Sequence, residues 1–116
     1  MILNLTQHAV SPEQIAAGVV EPVNKKAVQT LLTFDYLPKR LEIMERARSL
    51  ANLAIGYDGA MIGGAAYLVT RLEVMLDALG IKALHAFSVR ESVDTIMPDG
   101  STKKVAVFKH KGFVGE

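Results

Sequence analysis

AMIGGAAYLVTRLEVMLDALG, residues 60–80, changes its hydrophobic period once, and that change decides the fold class. Ala60-Met61-Ile62 is an unbroken apolar run, too short for a helix and suited to a buried strand. Gly63-Gly64 closes it. Beyond the glycines, Ala65, Leu68, Leu72, Met75 and Leu79 recur at steps of three and four, the spacing of one helix face, and Gly80 is a C-terminal stop. The next stretch, HAFSVRES (residues 85–92), begins apolar and β-prone and then turns polar at Ser88, Arg90 and Glu91. A strand, a helix and a second strand in this order form a crossover unit, so the two strands run parallel.

The same alternation extends outward. Residues 2–5 read as a first strand that ends at Thr6-Gln7-His8. Ser11, Pro12 and Gln14 form a capping-box pattern, which predicts a helix to about Ala17, stopped by Gly18. Val19-Val20 reads as a brief edge strand, limited by Pro22. Residues 24–32 read as helix, with Ala27, Val28, Leu31 and Leu32 apolar. Pro38 opens a helix over about 39–55, with Leu41, Met44, Ala47, Ala51 and Ile55 on its apolar face. Pro98-Asp99-Gly100 marks a turn, and Val105 to Phe108 a last strand that returns antiparallel. The prediction is a single α/β domain over residues 1–116. It is a three-layer α/β/α sandwich with a mostly parallel Rossmann-like sheet and a C-terminal antiparallel hairpin. Its expected core includes Leu3, Leu5, Ile62, Leu68, Leu72, Leu84 and Ala86.

Composition narrows the chemistry. Half of the 116 residues are hydrophobic, enough for a core without disulfides or metals, and there is no cysteine. The formal net charge of +1 argues against a duplex-DNA binder, which would carry a basic stripe, but leaves room for a small anionic ligand. No apolar run reaches the ~20 residues needed to span a bilayer. The N-terminus lacks the basic and long apolar regions of a secretion signal, so a cytoplasmic location is expected. No metal-ligand spacing is present; no metal and no cofactor are expected.

In an open parallel sheet, ligands bind beyond the carboxyl ends of the strands. Three such ends carry polar or glycine residues: Thr6, Gln7 and His8; Gly63 and Gly64; Ser88, Arg90 and Glu91. Gly63-Gly64 at a helix N-terminus suits a phosphate, and equally a tight turn that admits only small residues. His8 suits general acid–base work, or is a polar loop residue. Arg90 suits bidentate phosphate binding, or an ion pair with Glu91 or Asp94. His85 reads as a packed or partly exposed sheet residue. The hairpin is expected to bring Lys103 and Lys104 near Arg90 and to leave His110 at the opposite edge.

Three segments together carry a resemblance: LNLTQHAVSPEQ (3–14), GAMIGGAAYLV (59–69), and HAFSVRESV (85–93) with DGSTKKVAVFKHKGFV (99–114). In this order the chain resembles small CRISPR-associated proteins with a Rossmann-like fold, akin to CARF domains and ring nucleases. The likeness is loose over residues 18–58, and the central turn here is Gly-Gly-Ala, without the acidic and aromatic residues of those relatives. The resemblance implies a homodimer that binds cyclic oligoadenylate, or a related nucleotide, and cleaves it without metal. It implies catalytic roles for His8, Arg90 and Ser88, and ligand contacts from Thr6, Gln7, Gly63, Gly64, Glu91 and Lys104. The alternative is a nucleotide-binding or protein-interaction module without catalysis.

Overall fold

The computed structural model describes residues 1–116. The elements run β1 (Ile2–Leu5), α1 (Pro12–Ala16), β2 (Val19–Val20), α2 (Lys25–Leu32), α3 (Arg40–Leu53), β3 (Gly59–Ile62), α4 (Ala66–Ala78), β4 (Lys82–Ile96) and β5 (Thr102–Val114). One mixed, five-stranded sheet has the order β2-β1-β3-β4-β5. The pairs β1–β2, β1–β3 and β3–β4 are parallel, as the crossover argument requires, and β4–β5 is antiparallel.

The core follows from strand alternation. Leu3, Leu5, Ala60 and Ile62 share one cluster with Val28 and Leu32 of α2, Ala47, Leu50, Ala51 and Ala54 of α3 and its C-cap, and Leu68, Leu72 and Leu76 of α4. Helices α2, α3 and α4 thus cover the sheet face defined by alternate residues. Helix α1 buries none of its side chains and packs beside β2. Its predicted capping box is present: the Ser11 hydroxyl accepts from the Gln14 amide at 3.2 Å, and the Gln14 side chain accepts from the Ser11 amide at 3.0 Å.

Two expected faces are corrected. Leu41 of α3 is 67% exposed, and Ile55, expected on the same face but lying past the helix end, is 60% exposed. The inward stripe is Ala47, Leu50, Ala51 and Ala54, and its alanines allow close approach to α4, the helix that α3 contacts most. Ala86, expected in the core, is exposed, whereas Leu84 is buried. The last paired residues of β3 and β4 are Met61 and Leu84, so Ala86 lies where β4 has already outrun its inner neighbour.

Beyond that point β4 and β5 form a long two-stranded arm, which gives the molecule its 56 × 32 × 23 Å extents. The strand does not stop at the polar residues of HAFSVRES, because the hairpin continues to Ile96 and returns from Thr102. At the tip, the Met97 amide donates to the Ser101 carbonyl at 2.7 Å and the Asp99 carboxylate accepts from the Ser101 amide at 2.9 Å. Near the base, Phe87 pairs with Gly112 and Ser88 with His110, which leaves Lys111 as a bulge. Gly112 sits at φ +148, a conformation the bulge requires and that a side chain resists.

A polar knot fixes the end of β1. Asn4 is fully buried, and its Nδ2 donates to the His8 carbonyl at 2.8 Å and to Glu21 Oε1 at 2.6 Å. Its Oδ1 accepts from the Thr6 amide at 3.0 Å and the Thr6 hydroxyl at 2.7 Å. Lys25 Nζ donates to the carbonyls of Thr6 and His8 at 2.8 and 2.9 Å, and it pairs with Glu21. Burial alone would raise the Glu21 carboxyl pKa. The Asn4 and Lys25 hydrogen bonds, the Lys25 charge and the Val10 amide outweigh this and hold it below its ordinary value.

Two outcomes are expected. Leu72→Ala removes a fully buried side chain from the centre of the cluster and lowers unfolding free energy by about 2–5 kcal/mol in denaturant titration, whereas Ala86→Thr changes it by less than about 0.5 kcal/mol. Because folding depresses the Glu21 pKa, its stabilising contribution is full above the ordinary value of 4.5 and is lost as pH falls through the lower folded value. Glu21→Gln costs about 0.5–1 kcal/mol at neutral pH, and the difference from the parent shrinks in acid; a constant difference down to full carboxyl protonation contradicts the assignment.

Candidate functional site

The strand ends meet the helix starts at one edge of the sheet. Loop 6–8 leaves β1 with its carbonyls bonded: those of Thr6 and His8 accept from Lys25, that of His8 also from Asn4, and that of Gln7 from Gln29, while the Thr6 amide donates to Asn4. Thr6 is buried in this knot, so its hydroxyl is committed to Asn4 and the His8 carbonyl. Gln7 reaches the other way. Its Nε2 donates to Thr33 Oγ1 at 2.8 Å and to the Gln29 carbonyl at 3.3 Å, which ties the loop to the end of α2. His8 therefore projects from a rigidly held backbone with its own side chain exposed.

Gly63-Gly64 follows β3 directly beside this loop. A Cβ built on Gly63 would lie 3.6 Å from Thr6 Cγ2, and Gly64 has φ +131. Only glycine takes that conformation without strain, so the turn can deliver β3 into α4 with few intervening residues. Helix α4 then starts at Ala66, with Ala65 as its N-cap and no side-chain hydrogen bond to its first amides. The Leu68 and Val69 amides donate to the Ala65 carbonyl, which leaves the Ala66 and Tyr67 amides and the positive end of the helix dipole open to an anion.

Tyr67, in the first turn of α4, is half exposed and was not singled out from the sequence. Its ring lies 5.3 Å from Phe34, which in turn carries the Arg46 guanidinium 4.3 Å above its face. Arg46 is bonded to Glu42 and to the Thr33 carbonyl at the end of α2, so it clamps the aromatic pair. The signal that could have found Tyr67 is its position one turn after a glycine pair at a strand-to-helix junction.

The third group is spread along the arm. Extending the β3–β4 register sets Gly63 level with Ala86. At the strand rise, Ser88 is ~7 Å beyond that level, Arg90 ~13 Å and Asp94 ~26 Å. Lys104 pairs with Asp94 near the tip, and Lys103 with Thr95. The expectation that both lysines lie near Arg90 is thus corrected: Arg90 faces Phe108 across the hairpin. His110 is corrected too, since it pairs with Ser88 close to the body. Its ring lies 4.8 Å from that of Phe113, and neither ring nitrogen has a hydrogen-bond partner although both are shielded. Arg90 and Glu91 do not pair either. They point to opposite faces of β4, and Glu91 is held by Lys111 at 3.0 Å, which together with Lys109 lowers its carboxyl pKa. Arg90 is exposed and forms no ion pair.

Two polar hollows flank the body, neither of them lined by Gly63, Gly64 or His8. An open groove of about 510 Å³ runs between α4 and the start of β4, lined by Glu73, Asp77, Lys82 and His85 among others. There His85 Nε2 meets Glu73 Oε1 at 2.5 Å, which answers the sequence reading of His85 as a partly exposed sheet residue. Lys26, Gln29, Thr33, Asp35 and Arg46 line a smaller polar hollow of about 290 Å³ beside the Gln7 contact. Histidine, aspartate and glutamate nowhere gather in a group of three suited to a metal ion. No helix is long and apolar enough to cross a membrane.

No curated protein and no solved structure matches this chain. A family model does match, over residues 1–114, which takes in the strand ends, the glycine turn and the whole arm. The chain belongs to the Uncharacterized protein MJ1673 family.

Proposed function

We propose that the chain binds a small anionic nucleotide in the crevice outside the carboxyl ends of β1 and β3. The observation that carries this reading is the strand order. From β1 the chain moves one way to β2, then crosses back over β1 to β3 and on to β4. With right-handed crossovers, α1 belongs on the face opposite α2, α3 and α4, a thin third layer that completes a Rossmann-like α/β/α sandwich. The direction of winding then switches between β1 and β3, the point where doubly wound sheets hold their ligands.

The residues at that point support the reading. The uncapped N-terminus of α4 and the Gly63-Gly64 turn offer amides to a phosphoryl group. Lys25, its ammonium spent on the Thr6 and His8 carbonyls and Glu21, braces the neighbouring loop. His8 stands exposed beside it, and Tyr67 offers a ring on which a base can stack. In this reading Thr6 and Gln7 hold the loop in shape and do not spend their polar atoms on ligand. The resemblance to CARF-like and ring-nuclease proteins makes cyclic oligoadenylate the first ligand to test.

Binding is better supported than cleavage. Cleavage would have a ribose 2′-hydroxyl attack the adjacent phosphodiester, with a cation on the phosphoryl oxygens and an acid at the leaving oxygen. His8 fits the acid. Arg90 stands ~13 Å along the arm from the level of Gly63, so one chain does not gather the whole set. A ligand long enough to reach from the glycine turn to the arm would engage both.

Titration with a panel of cyclic and linear oligonucleotides in chelator, scored for binding and for product, tests both steps. Gly64→Ala is expected to weaken binding about tenfold, because the strained backbone withdraws the turn amides. Arg90→Ala costs about 1.5–3 kcal/mol of binding if Arg90 contacts phosphate. His8→Ala leaves affinity within about twofold and, if cleavage occurs, slows it by roughly 10²–10⁴. A folded parent that binds no nucleotide overturns the reading.

A further inference from the structure

We infer that the arm is a dimerisation element, in which the inner edge of β4 beyond the body pairs antiparallel with the same edge of a second copy, about a two-fold axis at Ser92. Because β3 ends at Ile62, residues 86–96 of β4 have β5 on one side and nothing on the other. An unpaired edge of that length is a template for another strand.

The two edges of the arm differ in a way that selects the occupant. Strand β5 carries four lysines, Lys103, Lys104, Lys109 and Lys111, and no carboxylate. A self-pairing centred on β5 sets Lys103 against the partner's Lys111, so that edge repels its own copy. Strand β4 carries both signs. With the axis at Ser92, Arg90 falls opposite the partner's Asp94, and Asp94 opposite the partner's Arg90, on the same face of the sheet. Arg90, which lacks an ion-pair partner within the chain, gains one.

The neighbouring rows agree. Asp94 already faces Lys104 across the hairpin and Arg90 faces Phe108. The row across four strands therefore reads Lys104, Asp94, the partner's Arg90, the partner's Phe108, with charges alternating. The central row is Ala106, Ser92 and their copies, small enough for close approach. On the opposite face, Val105 and Val93 of one chain line up with Glu91 and Val107 of the other, while Glu91 keeps its own Lys109 and Lys111. Ile96, 79% exposed, also gains a neighbour across the seam. This pairing sets Ile96 opposite the partner's Ser88.

A consequence deepens the nucleotide-site reading and rests on it. The partner's hairpin tip lies in line with β3, just beyond Gly63-Gly64. Each site then receives the tip of the other chain, including the region of Lys103 and Lys104, which on their own chain are ~26 Å further out.

The chain has no cysteine, so single cysteines report the register directly. In the pairing above, Ser92→Cys brings two thiols face to face, whereas in Ser88→Cys the two thiols are ~27 Å apart. Mild oxidation, or a short bis-maleimide, is expected to link the Ser92→Cys chain almost completely and the Ser88→Cys chain at background level. Arg90→Asp, which meets only Phe108 within its own hairpin, is expected to weaken the dimer roughly tenfold or more in sedimentation, and an equimolar mixture with Asp94→Arg to recover part of the loss. A parent that sediments as a monomer at tens of micromolar, equal linking at 88 and 92, or an Arg90→Asp chain that dimerises like the parent overturns the inference. These readouts use no ligand. A dimer with this register that binds no nucleotide leaves the inference standing and removes the nucleotide reading alone.

Discussion

The structure turns on a mismatch of length between two neighbouring strands. β3 ends at Ile62, where Gly63-Gly64 diverts the chain into α4, while β4 beside it continues to Ile96. Up to that line the sheet is parallel, and its paired strands are buried on at least one face by helices. Past it, the same strand belongs to a two-stranded ribbon with solvent on both faces. The chain turns into α4 because β3 stops at the glycine pair, and the arm exists because β4 does not stop there. Side-chain chemistry follows the same line: Leu84 is 2% exposed, and from Ala86 the alternating polar and apolar residues suit a strand with no core to enter.

Asn4 does a comparable job within the sheet. A buried amide in a central strand is costly unless each of its groups is bonded. Here both ends of the side chain are engaged, by Thr6 on one side and by His8 and Glu21 on the other. The loop that follows β1 thus has one favoured shape, and Lys25 from α2 closes it. The His8 carbonyl is held by both Asn4 and Lys25, so the backbone from which the exposed His8 ring projects is fixed in place.

Periodicity and glycine placement made most of the fold legible. The four helices and strands β1, β2 and β3 lie where the apolar pattern and the stops put them, because local steps of two or of three and four are properties of the chain itself, whereas β4 and β5 run well past the bounds read for them. Which stripe of α3 faces inward was not legible: two adjacent stripes of apolar residues compete, and close packing against α4 favours the one with alanines. The outcome at Ala86 was hidden for a related reason, since its burial depends on where a different strand ends. The hairpin register was within reach. Counting outward from the turn at Pro98-Asp99-Gly100 pairs Arg90 with Phe108, Asp94 with Lys104 and Ser88 with His110. Taking the last strand as only 105–108 obscured that arithmetic. For the site, the strand-end segments were visible as types and spacings. The commitment of Thr6 and Gln7 to neighbouring loops, and the arrival of Tyr67 from α4, depend on contacts between distant segments that no local pattern encodes.

The arm also sets the order in which the chain can assemble. β4 and β5 are joined by a short turn, so their contacts close a small loop and form on the timescale of a hairpin. The pairing of β1 with β3 joins Ile2 to Gly59 and Leu5 to Ile62, and every such contact must first close a loop of more than fifty residues. The hairpin is therefore positioned to form early and then wait for the body, presenting the edge of β4 at Leu84 to the arriving β3. In a chain made from its N-terminus this order runs against synthesis. β1, β2 and β3 emerge first, but the strand that completes their sheet belongs to the hairpin made after them.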